Sequence, residues 1–342
     1  MFKNINLVGI FLGLICFSVN AGYLDISQTE ALRRFNLLNY NKNFKVKEIK
    51  KYRKKRKYKI LKVKLESIHP WSKTKFNTEF LYYKSKEEGP RPLMIIIPPI
   101  VAITPLDKAM AHVFMNKGYN VFILKYNEKI NDYERPLKDF NRALVSVITS
   151  ARLLIDFAET REEINHNKVG SYGMSLGALL LGIYVGVEDR VDAAVIIVGG
   201  GQIPEIMATS QQQIAADFRE ARMEAEGIDT PDEFQKVLEK IVLFDPMFFA
   251  SRRNREDVYM VIGDDDSAVN TKNQWMLWRA FNKPEHMSYD AEHFPSILQN
   301  LFRHDLIFDY LKKRLDKEDE RLPRPPSNSG GGFFDNLFNL FN

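Results

Sequence analysis

Cysteine is nearly missing from this chain, and the single example among 342 residues is Cys16. One thiol supports neither an intrachain disulfide framework nor a Cys-rich metal site. Lipid attachment at Cys16 is disfavoured as well, because bulky Ile15 precedes it where a small residue is needed. Histidine is scarce, with six in the chain, and no His-Glu-x-x-His or comparable ligand cluster occurs, which argues against a metallohydrolase and calls for no cofactor. No segment repeats at a fixed period, which argues against a solenoid or propeller. Charge of one sign is in modest excess, +5 overall, and the basic residues do not gather beside aromatic or groove-reading elements. Nucleic acid is therefore not an expected partner.

What is present is a composition, 45% hydrophobic and 27% charged, that can bury one large core or two modest ones. Met1-Phe2-Lys3-Asn4 gives a short positive start, and residues 5–19 form an apolar stretch too short for a comfortable membrane span. Val19-Asn20-Ala21 follows with small or medium residues at the usual cleavage positions. Residues 1–21 thus read as a signal peptide whose removal takes Cys16 with it, giving an exported, periplasmic or secreted protein that begins near Gly22; an uncleaved anchor is the alternative.

The densest basic run, residues 45–64, alternates with apolar side chains such as Tyr58, Ile60, Val63 and Leu65. It reads as half-buried antiparallel strand with a solvated lysine face, against a rival reading as a stripe for anionic surfaces. Strand-like segments at about 45–52, 57–65 and 76–84 are expected to form an antiparallel edge. From Pro92 onward short continuous apolar runs, at 93–97, 119–124, 168–172, 191–198, 258–262 and 287–289, alternate with helical patterns. This is how a parallel sheet covered on both faces reads. The clearest helix is 136–157, where Leu137, Phe140, Leu144, Val147, Ile148 and Ala151 recur at spacings of three and four. The insertion 202–250 is rich in helix formers and long for a simple crossover, as a helical cap would be. Residues 322–342 read as a Pro/Gly linker and a Phe-rich tail that either docks on a membrane or protein partner, or is a disordered end or a segment folded back onto its own domain.

The strongest local signal is Gly173-Met174-Ser175-Leu176-Gly177, directly after strand-like 168–172 and before helix-like 178–185. A serine at a sharp strand-to-helix turn needs a strained backbone with small flanking residues, and the two glycines supply them. The turn sets Ser175 at a helix start, where the Leu176 N–H and the helix dipole favour developing negative charge. A serine nucleophile needs a base, and imidazole is the usual one. His293, in Asp290-Ala291-Glu292-His293-Phe294, follows the last strand on a loop at its C-terminal end, where parallel-sheet sites assemble. His286, which begins that strand, is the main rival, and His304 lies in a helical pattern over 297–311. The orienting acid is sought in Gly263-Asp264-Asp265-Asp266 after the preceding strand. Three adjacent carboxylates repel one another, so most of them must face solvent. Asp266 is preferred, Asp265 comes next, Asp264 is also open, and Glu205 is a distant alternative.

On these motifs the chain resembles the α/β-hydrolase superfamily, most closely its dienelactone-hydrolase and acetylesterase-type branch, over roughly residues 92–313. The pieces that carry the resemblance are the serine turn, Phe244-Asp245-Pro246-Met247-Phe248-Phe249-Ala250, Trp278-Arg279-Ala280-Phe281-Asn282-Lys283-Pro284-Glu285, and Gly263-Asp264-Asp265-Asp266-Ser267-Ala268-Val269. The last is similar to a Gly-x-x-Asp-x-x-Val pattern whose aspartate falls on Asp266. The resemblance implies an α/β fold with a mostly parallel sheet, helices on both faces and a small helical cap, spanning 22–321. Its chain order Ser, Asp, His agrees with Ser175, Asp266 and His293. One departure stands out: many members carry His-Gly before the second oxyanion donor, whereas this chain has Pro98-Pro99-Ile100-Val101. Pro99 has no N–H, so the donor would be that of Ile100 or Val101, beside Leu176.

The expected activity is cleavage of carboxylic esters, small or polymer-linked, through an acyl-enzyme, with Met207 and Phe218, and beside them Ile214 and Met223, as candidate pocket walls. Two alternatives stay open, a non-catalytic envelope-associated binding protein on the same fold, and a peptidase or acyltransferase using the same three residues.

Overall fold

The computed structural model describes residues 23–316 apart from 101, 129 and 131. The leader 1–21 with Cys16, the linker and tail 322–342, and the backbone of Val101 lie outside the described residues. In chain order the elements are α1 (Gln28–Leu37), β1 (Lys45–Lys54), β2 (Tyr58–Ile68), β3 (Lys75–Ser85), β4 (Arg91–Ile97), α2 (Pro105–Asn116), β5 (Asn120–Lys125), α3 (Phe140–Ala158), β6 (Ile164–Met174) and α4 (Leu176–Val187). There follow β7 (Ala193–Ile197), α5 (Ile203–Thr209), α6 (Gln213–Glu226), α7 (Pro231–Ile241), α8 (Pro246–Phe249), β8 (Val258–Gly263), α9 (Thr271–Ala280), β9 (Glu285–Tyr289), α10 (His293–Phe302) and α11 (His304–Leu315).

The strands form one nine-stranded sheet in the order β1-β2-β3-β5-β4-β6-β7-β8-β9. β1, β2, β3 and β5 pair antiparallel, and every pairing from β5 through β4 to β9 is parallel. The central parallel strands are continuous apolar runs because both their faces are covered. Successive side chains of β4 show this directly: Leu93, Ile95 and Ile97 enter a core shared with α3, α4 and α7, while Met94 and Ile96 enter the opposite core, shared with α2 and α11. Helix starts follow local chemistry. Thr104 caps α2 in a reciprocal capping box with Asp107, and Pro105 occupies the first turn, where its missing N–H costs nothing. Among the described residues no helix is long and apolar enough to cross a membrane.

Three local expectations are corrected. β1 is exposed almost throughout rather than half-buried, with Val46, Ile49 and Tyr52 open to solvent. It is the end strand, and among the described residues no helix covers it; the expected alternation belongs to β2. The long helix begins with a 3₁₀ turn at Leu137–Asp139 before α3 proper. The helical pattern over 297–311 is two helices, broken at Arg303.

Candidate active site

The parallel strands all run the same way, so the segments leaving their C-terminal ends meet along one edge of the sheet. At the end of β6 the chain reverses into α4 through Ser175, whose backbone stands at φ 53° and ψ −125°. A non-glycine residue held there stores roughly 1–3 kcal/mol. The surrounding glycines make the turn possible. A Cβ on Gly173 would come within 2.5 Å of the Gly177 carbonyl oxygen, and one on Gly177 within 2.2 Å of the Ile97 oxygen. The Ser175 N–H donates to the Ile197 oxygen at 3.0 Å, tying the turn to β7. Leu176 is the first residue of α4, so its N–H has no acceptor within the helix.

Three residues beyond β8 lies Asp266, and four beyond β9 lies His293, which is the first residue of α10 rather than part of a loop. His293 Nε2 is 2.8 Å from Ser175 Oγ, and His293 Nδ1 is 2.6 Å from Asp266 Oδ2. A carboxylate only accepts, so Nδ1 carries the ring proton and Nε2 is left to accept from the serine hydroxyl. All three side chains are buried. Asp266 is itself held: its Oδ1 accepts the N–H groups of Ala268 and Val269 at 2.9 Å, and its Oδ2 accepts Gln274 Nε2 at 2.8 Å. Gln274, fully buried on α9, also donates to the Val269 oxygen and accepts the Gly263 N–H. It spans the whole loop, and sequence reasoning missed it, since one glutamine in a polar helix carries no distinguishing signal.

The remaining candidates stand apart from this line. Asp264 accepts the Trp275 indole N–H at 3.1 Å. Asp265 is exposed, and the nearby charge of Asp290 raises its carboxyl from its ordinary value. Glu205 pairs with Lys272 at 2.8 Å. His286 is exposed on β9, its ring packed edge-on against Trp275 and Trp278. His304 Nδ1 donates to the Leu301 oxygen.

No protein-family model matches the chain, and no curated protein matches it in sequence. Solved structures match it in shape. An acetyl xylan esterase from Paenibacillus sp. R4 superposes with a TM-score of 0.61 at 15% identity, covering 84% of this chain and 93% of that one. Acetyl xylan esterase 1 from Thermoanaerobacterium sp. JW/SL YS485 gives 0.60 at 15% identity over 83% and 93%. A cold-adapted esterase from an Arctic intertidal metagenomic library gives 0.50 at 13% over 81% and 99%. The chain has the α/β-hydrolase fold. At such identities the likeness is one of architecture.

In this α/β-hydrolase fold a cavity of about 380 Å³ opens beside Ser175. Residues 202–250 contribute α5 and α6 to its wall, and both Met207 and Phe218 line it, as does Ile214. Met223 instead packs against the core. Ile100 stands at the cavity with 36% of its surface exposed. Just before it, the Pro98 oxygen accepts the buried Tyr126 hydroxyl, which pins the entry to the Pro98-Pro99 segment.

Proposed function

We propose that this chain is a serine hydrolase that cleaves carboxylic esters by acyl transfer. The observation that carries the reading is the unbroken hydrogen-bonded line from Ser175 through His293 to Asp266, buried at the edge of the sheet and opening on a cavity. That two of the similar structures are acetyl xylan esterases and a third an esterase supports the ester as the bond broken.

His293 Nε2 takes the proton of Ser175 as its oxygen attacks the ester carbonyl. Asp266 stabilises the resulting imidazolium, and its own three further hydrogen bonds keep it from turning away. The oxyanion is held by the Leu176 N–H at the start of α4 and by that of Ile100 or Val101, Pro99 having none. The imidazolium then gives its proton to the departing alcohol, leaving an acyl-serine. Water, deprotonated by His293, attacks that ester and releases the carboxylic acid. Residues 202–250 act as the cap, with Met207 and Phe218 against the substrate, and the leader-like residues 1–21 direct the enzyme out of the cytoplasm.

The test is turnover of p-nitrophenyl esters by the purified protein and by Ser175→Ala. The variant is expected to lose about 10³-fold or more in kcat while its Tm stays within about 4 °C of the parent. Turnover that survives the substitution would remove Ser175 as nucleophile.

A further inference from the structure

The cavity beside Ser175 has a composition that the acyl-transfer chemistry does not require. Its lining includes the buried side chains Phe140, Leu144, Leu180 and Phe218, each at most 3% exposed, and at its exposed side Ile214 at 41%. Among the described residues that line it only Asp132 is charged, and none is a tryptophan. A sugar ring bound here would leave most of its hydroxyls without partners, each a desolvation cost. An acetyl group would leave most of the space to water held against hydrocarbon walls.

Resting on the acyl-transfer reading, we infer that the ester this site takes carries an unbranched aliphatic arm of about six to ten carbons. The size follows from the volume: a cavity of about 380 Å³, at roughly 30 Å³ for each water-sized group, holds on the order of a dozen heavy atoms. An arm of the inferred length and the ester group together fill it. The gain is hydrophobic and therefore grows with chain length until the cavity is filled. Ala215 on α6 marks where the chain passes under the cap, because it lines the cavity with little more than a methyl group.

Two ester series test this and separate the acyl side from the alcohol side: p-nitrophenyl esters from acetate to dodecanoate, and acetates of alcohols from ethanol to dodecanol. In the series whose arm enters the cavity, kcat/KM is expected to rise by up to about fourfold per methylene and to fall beyond about ten carbons. A rise in either series supports the inference and assigns the side. Ala215→Trp is expected to lower the octanoyl-to-acetyl ratio, or its alcohol counterpart, at least tenfold, and Phe218→Ala to move the optimum to longer chains, with melting curves checking that both variants fold. Flat profiles, or a preference for the shortest ester in both series, overturn the inference. Ser175→Ala run on the same panel keeps the two readings apart: esters hydrolysed only with Ser175 present but best at two carbons sink the aliphatic arm alone, whereas hydrolysis indifferent to Ser175 sinks the acyl-transfer reading itself.

Discussion

Two cavities among the described residues are of nearly equal size, about 380 and 390 Å³, with Ser175 lining one and Ser146 the other. Behind each serine stand a histidine and a carboxylate. In the first, the imidazole lies between Ser175 and Asp266 and touches both. In the second, the serine lies in the middle: Ser146 Oγ is 3.0 Å from His69 Nε2 and 2.9 Å from Glu128 Oε1. The order decides the chemistry. His69 Nδ1 accepts the N–H groups of Trp71 and Ser72 at 3.2 and 3.1 Å, so its ring proton sits on Nε2 and points at the serine. A ring nitrogen that donates to a hydroxyl cannot take its proton. Ser146 also has ordinary surroundings inside α3, bonded to the Arg142 oxygen one turn back, whereas Ser175 is held on a strained turn at a helix start. On the proposed reading, the same three residue types thus form an activated nucleophile in one place and a structural brace in the other.

The two clusters are expected to differ most sharply at their carboxylates. Asp266→Asn offers His293 an amide able to stabilise the wrong tautomer, and kcat is expected to fall by roughly 10³ to 10⁴. One step further out, Gln274→Leu frees the loop that aims Asp266 and is expected to lower kcat by about 10- to 100-fold with KM nearly unchanged. The second cluster's Glu128→Gln is expected to leave kcat within about threefold while lowering thermal stability, since Glu128 holds Arg135 and Ser146. Steady-state kinetics on one ester, with a melting curve for each variant, checks all three. A collapse of kcat in Glu128→Gln would mean the second cluster is not merely a brace.

A smaller effect concerns pH. Burial pushes His69 below its ordinary value of 6.5, with the neighbouring Glu128 opposing it. The folded state therefore binds this proton less readily than the unfolded state. Its contribution to stability is intact above about pH 6.5 and is lost as the pH falls through that value toward the lower folded one. The Tm is accordingly expected to decline between pH 7 and 5 by more in the parent than in His69→Gln, as differential scanning fluorimetry would measure. Identical slopes would show that His69 carries no such linkage.

The architecture was legible where a residue pattern has only one physical use. Continuous apolar runs such as Leu93 to Ile97 suit strands covered on both faces, and glycines flanking a serine suit a turn in which any Cβ would strike backbone. The basic run was less informative as a whole, because lysines interleave with apolar residues in both β1 and β2, yet in β1 the apolar residues Val46, Ile49 and Tyr52 fall three apart and are exposed, while alternation and burial belong to β2. The helix break at Arg303 left no proline or glycine to read. At the candidate site, chain order and loop position pointed to the run Asp264-Asp265-Asp266, and the resemblance to a Gly-x-x-Asp-x-x-Val pattern to Asp266 within it, yet Gln274 stayed invisible because its role depends on three groups that meet only after folding. The His69 and Ser146 pairing, 77 residues apart, was hidden for the same reason.

The most direct measurement is labelling of the folded protein with a fluorophosphonate, followed by mass mapping of the modified peptide, because that reagent reports an activated serine whatever the natural ester. One adduct is expected, on Ser175, that disappears in His293→Ala and is untouched in His69→Ala. No adduct, or an adduct on Ser146, would contradict the proposed role of Ser175.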